Sequence, residues 1–163
     1  MKIELREITT AEYPLLEDFL YGALFLPFGT EPPSRDVIFQ PEIFIYIEGF
    51  GSKYGDCGVI AEAEEYGVVG IAWTRIIPAY GHIDNETPEL AVSVVSECRG
   101  QGIGTALLTK LFSSLRERGF KRTSLSVQKE NPAASLYQRA GYEILYENDE
   151  DYIMVKQLVL NNS

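Results

Sequence analysis

The sequence contains little cysteine, little histidine, little positive charge and no long apolar run. Its two cysteines, Cys57 and Cys98, are too few for a disulfide framework, and no cysteine–histidine cluster has the spacing of a metal site. The single histidine, His82, is the one residue through which histidine-dependent nucleophilic chemistry could run. No apolar run approaches the roughly 18 residues that span a bilayer, and the N-terminus lacks the apolar core of a signal peptide. We therefore expect a cytoplasmic protein with reduced thiols, no metal and no membrane partner.

Acidic residues outnumber basic residues by 24 to 14 in the 163-residue chain, which gives a formal charge of −10. This charge argues against nucleic acid or an anionic membrane as a partner, because phosphates favour a basic surface. With 45% hydrophobic and 23% charged residues, the composition is that of a folded protein, and the length fits one domain over residues 1–163. Taken alone, the charge also disfavours a phosphate-bearing ligand.

Hydrophobic periodicity predicts an alternation of strands and helices. Strands are predicted over 2–8, 58–64, 68–77, 89–95, 123–128, 142–147 and 151–158. Helices are predicted from Thr9 or Thr10 to about Leu26, from Gly102 to Arg118 and over 132–140. The segment 41–50 has the composition of a strand, but a first-turn proline and glycines near its end favour a short helix. The order predicts an α/β fold with a mixed sheet.

The most informative segment runs from Cys98 to Thr105 and joins a predicted strand to a predicted helix. Its glycines, Gly100, Gly102 and Gly104, let consecutive backbone N–H groups converge without interference from Cβ atoms. The same point is the positive end of the following helix, where phosphate oxygens are stabilised. A tight turn that needs glycine only for its geometry is the alternative. A Walker A loop is excluded because no lysine follows Gly104, and a dinucleotide fingerprint because Thr105 occupies its third glycine position.

Two motifs resemble those of one enzyme family. Arg99, Gly102 and Gly104 form Arg-x-x-Gly-x-Gly, which resembles the pyrophosphate-binding motif of the GNAT superfamily of N-acetyltransferases. The segment from Asn131 to Tyr142 resembles the second signature of that family, Asn-x-x-Ala-x-x-Leu-Tyr followed by Gly-aromatic. The resemblance implies a single-domain GNAT-like fold: a mixed, mostly antiparallel sheet of about six to seven strands with helices on both faces.

The resemblance further implies acetyl-CoA as the donor and direct acetyl transfer to a primary amine, without a metal. The CoA pyrophosphate would be held by the backbone of Arg99, Gly100, Gln101, Gly102, Ile103, Gly104 and Thr105. One amide of the preceding strand, that of Val94 or Val95, would face the thioester carbonyl and stabilise the developing oxyanion. Asn131 would contact the CoA arm, and its position before Pro132 also suits a helix N-cap.

Three residues are candidates for proton transfer. The resemblance implies that Tyr137 protonates the leaving thiolate, and a phenol is protonated at neutral pH. Tyr137 also belongs to an apolar stripe of its helix, so a purely structural role is the alternative. Glu89 begins the strand that would face the thioester and is the candidate base for an ammonium acceptor, directly or through a water. His82 is the alternative base, and an inert strand-end carboxylate is the alternative role for Glu89.

No recognisable motif identifies the acceptor. We expect a small-molecule amine, and the acidic composition favours a cationic one through long-range attraction. The alternatives are a peptide or protein acceptor and a non-catalytic acetyl-CoA-binding module, and the resemblance is compatible with a homodimer. Residues 99–129 contain seven basic residues and one acidic residue, a net charge of +6, so the remainder carries −16. We therefore expect a basic surface at the CoA entrance and an acidic one on the acceptor side.

Overall fold

A single seven-stranded sheet organises the protein, in the order β1-β2-β3-β4-β5-β7-β6. The computed structural model describes residues 2–159, so Met1 and residues 160–163 of the predicted domain lie outside the described residues. The strands are β1 (Ile3–Glu7), β2 (Cys57–Ala63), β3 (Gly67–Arg75), β4 (Glu89–Val94), β5 (Arg122–Gln128), β6 (Glu143–Glu147) and β7 (Asp151–Gln157). All neighbouring strands are antiparallel except β4 and β5, which are parallel. The predicted fold class is confirmed.

Helices cover both faces of the sheet: α1 (Leu16–Ala23), α2 (Pro41–Phe44), α3 (Ile103–Glu117) and α4 (Ala133–Arg139). On one face, α3 buries Leu107, Leu111 and Leu115, one turn apart, against β2 and β3 in a cluster that α4 also joins. On the other face, Leu16 and Leu20 of α1 bury a second cluster that includes Trp73 of β3. The sheet therefore has an apolar core on each side.

The first predicted helix is interrupted. Thr10–Leu15 form a 3₁₀ helix that contains Pro14, whose missing N–H prevents a regular α-helix there. This helix starts after Thr9, as predicted. The Thr9 N–H donates to the Glu12 carboxylate at 2.9 Å, which stabilises the first turn. The helix ends at Ala23 rather than near Leu26, since Leu24 is extended with φ −67° and ψ 128°. The chain after Ala23 instead lines a cleft.

The segment 41–50 is helical for one turn only. Pro41 occupies the first turn of α2, as predicted, but the helix ends at Phe44. Two of the carbonyls that a longer helix would use, those of Ile45 and Glu48, accept hydrogen bonds from the Arg75 side chain at 3.0 and 2.6 Å. The buried Arg75 of β3 therefore fixes the backbone of this segment after its single helical turn.

Candidate active site

The two parallel strands at the centre of the sheet separate soon after they meet. The pairing of β4 with β5 consists of one bridge, between Glu89 and Ser124. Beyond it the strands diverge towards the C-terminal end of β4, where a cleft of about 1000 Å³ opens. This is a suitable size for a small-molecule ligand. The wall formed by α1 and the loop after it is largely apolar and consists of Tyr21, Gly22, Ala23, Leu24, Phe25, Leu26 and Pro32.

The glycine loop forms another wall of the cleft. Gly100 and Gly102 have φ of +76° and +82°, a left-handed conformation that favours glycine. No side chain caps α3, which starts directly after Gly102, so the N–H groups of its first turn are available at the positive end of the helix dipole. A Cβ at Gly100 or Gly102 would meet no protein atom within 4 Å. The loop therefore presents an open, positively polarised surface that suits a phosphate.

The predicted pyrophosphate-binding residues do not all lie at the cleft. Those that line it are Arg99, Gly100, Gly102, Ile103, Gly104 and Thr105. Gln101 is exposed and lies outside the lining, and the side chain of Ile103 is buried in the core, so only its backbone can serve a ligand. Arg99 also stabilises the loop, because its Nε donates to the Val94 carbonyl at 3.0 Å.

The amides of Val94 and Val95 point in opposite directions. The Val95 N–H donates to the Val69 carbonyl of β3 at 2.8 Å, so it is already used within the sheet. Because successive strand residues direct their amides to opposite sides, the Val94 N–H points towards the gap beside β5. Val94 also lines the cleft, whereas Val95 does not. Of the two predicted oxyanion donors, Val94 is therefore the one whose amide is available.

Tyr137 and Asn131 reach the cleft from α4 and the loop before it. Burial raises the pKa of Tyr137 to about 12, so its hydroxyl is protonated throughout the neutral range. Its ring packs edge-on against Tyr142, with 5.9 Å between the ring centroids. The Asn131 Oδ1 accepts a hydrogen bond from the Ala133 N–H at 2.9 Å, which is the predicted capping role. Tyr137 is thus both packed and turned to the cleft.

Glu89 lies at the closed end of the gap rather than in the cleft lining, and it is 2% exposed. Its Oε2 accepts hydrogen bonds from the Tyr46 hydroxyl and from the Gly81 N–H, the latter at 2.9 Å. Its Oε1 is buried and has no hydrogen-bond partner among residues 2–159. Burial raises the pKa of Glu89 to about 7, against the opposing effect of the two hydrogen bonds. A carboxylate with this pKa can exchange a proton near neutral pH.

His82, the alternative base, follows Gly81 in the same loop. Its backbone N–H donates to the Ala79 carbonyl at 3.2 Å, and it does not line the cleft. Its Nδ1 is buried without a hydrogen-bond partner in the described part of the chain. Of the two predicted bases, Glu89 is the one with defined polar contacts at its carboxylate.

The basic residues of segment 99–129 are spread over the protein, and the expected surface charges at the CoA entrance and on the acceptor side stay a prediction. Of the seven basic residues in 99–129, only Arg99 lines the cleft. Four others make contacts elsewhere: Arg116 with the Leu158 carbonyl, Arg118 with Glu7, Arg122 with Asp84, and Lys129 with Glu147. The second cation of the cleft is Arg139, which lies outside that segment, and no carboxylate is found in the described lining. Closeness in sequence did not place these charges together in space.

Tyr46 and Gly81 both contact Glu89, and the sequence alone did not predict either contact. Tyr46 lies 43 residues before Glu89, in the segment whose local pattern is mixed. Neither residue belongs to a motif, so only the tertiary structure reveals the contact.

Residues 2–159 contain no group of three or more histidine, cysteine, aspartate or glutamate side chains placed to hold a metal ion. In the same range, no helix combines the length and apolar character needed to cross a membrane.

Known proteins resemble this chain in sequence. A family model described as the acetyltransferase (GNAT) family matches residues 8–142. An uncharacterized N-acetyltransferase of Methanocaldococcus jannaschii is 32% identical over 137 residues, which cover 78% of this chain and 82% of that protein. A mycothiol acetyltransferase of Saccharomonospora viridis is 35% identical over 97 residues, or 57% of this chain. The matched region spans only 31% of the length of that mycothiol acetyltransferase.

Solved structures share the fold at low sequence identity. The PaiA N-acetyltransferase of Thermoplasma acidophilum, solved in complex with coenzyme A, has a TM-score of 0.70 and 19% identity, with 96% of this chain and 99% of that chain covered. A ribosomal-protein-alanine N-acetyltransferase of Brucella melitensis has a TM-score of 0.66 and 25% identity, with 94% and 99% covered. Because the family model covers most of the sequence and the shared fold extends over nearly all of it, the chain belongs to the acetyltransferase (GNAT) family.

Proposed function

We propose that the protein is an acetyl-CoA-dependent N-acetyltransferase that acts on a small-molecule primary amine. The observation that carries this proposal is the cleft at the gap between β4 and β5. The glycine loop, Val94 and Tyr137 all line this cleft. Acetyl-CoA supplies the activated acetyl thioester. Three features of the cleft support this donor: uncapped amides at the start of α3, open space over Gly102, and lining charges that are exclusively positive in the described residues.

The residues around the gap have separate roles in this proposal. The amides of the first turn of α3 bind the pyrophosphate, and Arg99 keeps the loop in place through the Val94 carbonyl. The Val94 N–H stabilises the negative charge that develops on the thioester oxygen. Glu89 accepts the proton that the ammonium acceptor must lose before its nitrogen can attack. The nitrogen then forms its bond to the carbonyl carbon, and Tyr137 donates its proton to the leaving sulfur as the C–S bond breaks and a neutral thiol leaves. The second proton that the nitrogen loses restores the Tyr137 hydroxyl.

Two features support a cationic amine that carries an apolar group as the acceptor. The net charge of −10 attracts cationic amines over long distances. The apolar wall formed by α1 and the loop after it suits an acceptor that also carries an apolar group. The names of the relatives include both a mycothiol acetyltransferase and a ribosomal-protein-alanine N-acetyltransferase, so a peptide acceptor is the second candidate.

The test is thiol release from acetyl-CoA across a panel of small amines and alanine-ended peptides. We expect Tyr137→Phe to lower kcat by roughly 100-fold or more, because the proton donor is lost, while acetyl-CoA binding is retained. Tyr146→Phe is the matched control, since Tyr146 is 51% exposed on β6 and lies outside the cleft lining. Tight acetyl-CoA binding without turnover of any acceptor would instead support a binding module. A Tyr137→Phe variant as active as the control would contradict the proposed acid.

A further inference from the structure

The carboxylate proposed as the base is held at one oxygen only. Both hydrogen-bond donors, the Tyr46 hydroxyl and the Gly81 N–H, bind Oε2 of Glu89, and Oε1 has no partner among the described residues. We propose that Tyr46 is a positioning residue, which fixes Oε2 of Glu89 so that Oε1 receives the proton of the acceptor through an intervening water, since Oε1 is buried and Glu89 lies outside the cleft lining. This inference rests on the proposed function, because it concerns the same proton transfer.

Tyr46 is itself firmly held by β3. The Trp73 Nε1 donates to the Tyr46 carbonyl at 3.0 Å. The Arg75 guanidinium donates to the carbonyls of Ile45 and Glu48, on either side of Tyr46 in the chain. Trp73 is fully buried and Arg75 is 1% exposed, so these anchors are rigid parts of the core. A hydroxyl held this way can define the orientation of its partner.

Arg75 is fixed in turn by a buried carboxylate. Its Nε donates to Asp56 Oδ1 at 2.9 Å and a terminal nitrogen donates to Asp56 Oδ2 at 3.1 Å, a bidentate pair. Both side chains are 1% exposed. Asp56 also accepts hydrogen bonds from the N–H groups of Gly51 and Lys53. A continuous set of hydrogen bonds therefore leads from Asp56 through Arg75 to the backbone that carries Tyr46.

The second donor to Oε2 requires glycine at position 81. A Cβ there would lie 2.7 Å from the backbone of Leu125 and Ser126, and 2.9 Å from Glu89 Oε2. The Gly81 carbonyl accepts a hydrogen bond from the Ser124 hydroxyl at 2.7 Å, which ties the loop to β5. The close approach that brings the Gly81 N–H to Oε2 is therefore possible only without a side chain.

Burial and hydrogen bonding act on the pKa of Glu89 in opposite directions. Tyr46 is the titratable side chain that hydrogen-bonds to Glu89, and Tyr80 lies beside Tyr46. Burial and the Glu89 carboxylate raise the pKa of Tyr46, so its hydroxyl remains a donor across the working pH range. Donation to Oε2 favours the ionised form of Glu89, which is the form that can accept a proton.

The inference is tested with Tyr46→Phe, Glu89→Gln and the double variant in the full chain. Glu89 is titrated by NMR of protein with ¹³C-labelled glutamate carboxyls, in which the Glu89 signal is the one missing from Glu89→Gln. We expect its pKa to rise by roughly one to two pH units in Tyr46→Phe, because a hydrogen bond to the charged form is lost. The acid limb of the kcat profile should shift upwards equally, with KM for acetyl-CoA unchanged.

Tyr13→Phe is the matched control, because Tyr13 belongs to the same apolar cluster as Tyr46 but makes no contact with Glu89 among the described hydrogen bonds. It should titrate like the unmodified protein. In the Glu89→Gln background, Tyr46→Phe should cause no further loss of kcat. An unchanged Glu89 titration in Tyr46→Phe, with Glu89→Gln inactive, overturns the role of Tyr46 and leaves the base in place. Full activity of Glu89→Gln overturns the proposed base, and the present inference with it.

Discussion

Gly102 and Gly119 lie at opposite ends of α3 and allow a controlled test of the cleft. Both have left-handed backbones, with φ of +82° and +88°, and a Cβ at either position would meet no protein atom within 4 Å. Replacement by alanine should therefore cost each the same conformational energy, about 1 kcal/mol, which lowers Tm by roughly 2–4 °C. Only Gly102 lines the cleft. The two variants thus separate backbone strain from ligand contact.

We expect the two variants to differ in their affinity for CoA. The alanine Cβ at position 102 stands in the open space over the loop, where the proposed pyrophosphate approaches the amides. If it displaces one hydrogen bond to a charged phosphate, worth about 1.5–3 kcal/mol, Kd should rise between roughly tenfold and a hundredfold. Gly119→Ala, at the other end of the helix, should bind CoA as the unmodified protein does.

Isothermal titration calorimetry with CoA measures the binding difference, and thermal unfolding by circular dichroism measures the shared stability cost. The result expected is a similar fall in Tm for both variants and weakened binding for Gly102→Ala alone. Equal CoA affinity in the two variants would refute the assignment of the pyrophosphate to this loop. A much larger fall in Tm for one variant would contradict the expectation that an alanine side chain costs the same conformational energy at both glycines.

Two further predictions concern buried charges. Asp56→Ala should lower the free energy of unfolding in urea by about 3–5 kcal/mol, because it leaves the Arg75 guanidinium buried without its carboxylate. Asp18→Ala, which breaks an exposed pair with Arg35, should leave the free energy of unfolding almost unchanged. For Glu89, the pKa raised from 4.5 to about 7 means that the folded protein keeps a proton that the unfolded chain releases between these pH values. The stability that this proton contributes, roughly 2–4 kcal/mol, is present below pH 4.5 and lost as the pH rises through 7. The free energy of unfolding should therefore fall over this pH range, and Glu89→Gln should make that fall smaller.

The glycine loop and the helix after it were predictable because their physics is local. Left-handed glycines, an uncapped helix start and an asparagine before a proline each depend on a few adjacent residues. The choice between Val94 and Val95 was not predictable, because it depends on which residue near the end of β4 bonds to Val69 of β3, and Val95, directly after β4, is that residue. A shift of one residue in this pairing would exchange the two amides.

The hydrogen bond from Tyr46 to Glu89 was not predictable because the two residues are distant in sequence. Tyr46 and Glu89 are 43 residues apart. Trp73 of β3 binds the Tyr46 carbonyl, and Arg75 of the same strand binds the carbonyls on either side of it. Such contacts depend on strand order and on the path of the loops. The places of the basic residues of segment 99–129 were not predictable for the same reason, since Arg118 and Arg122 pair with acidic residues distant in sequence.

The single bridge between Glu89 and Ser124 divides the sheet into two halves that meet at one end. One half contains β1 to β4, and the other contains β5, β7 and β6. Residues of α3 belong to one apolar cluster with residues of both halves, so this helix joins them across the gap. Glu89 sits where the halves meet, so a ligand bound between β4 and β5 would approach this carboxylate from the cleft side only.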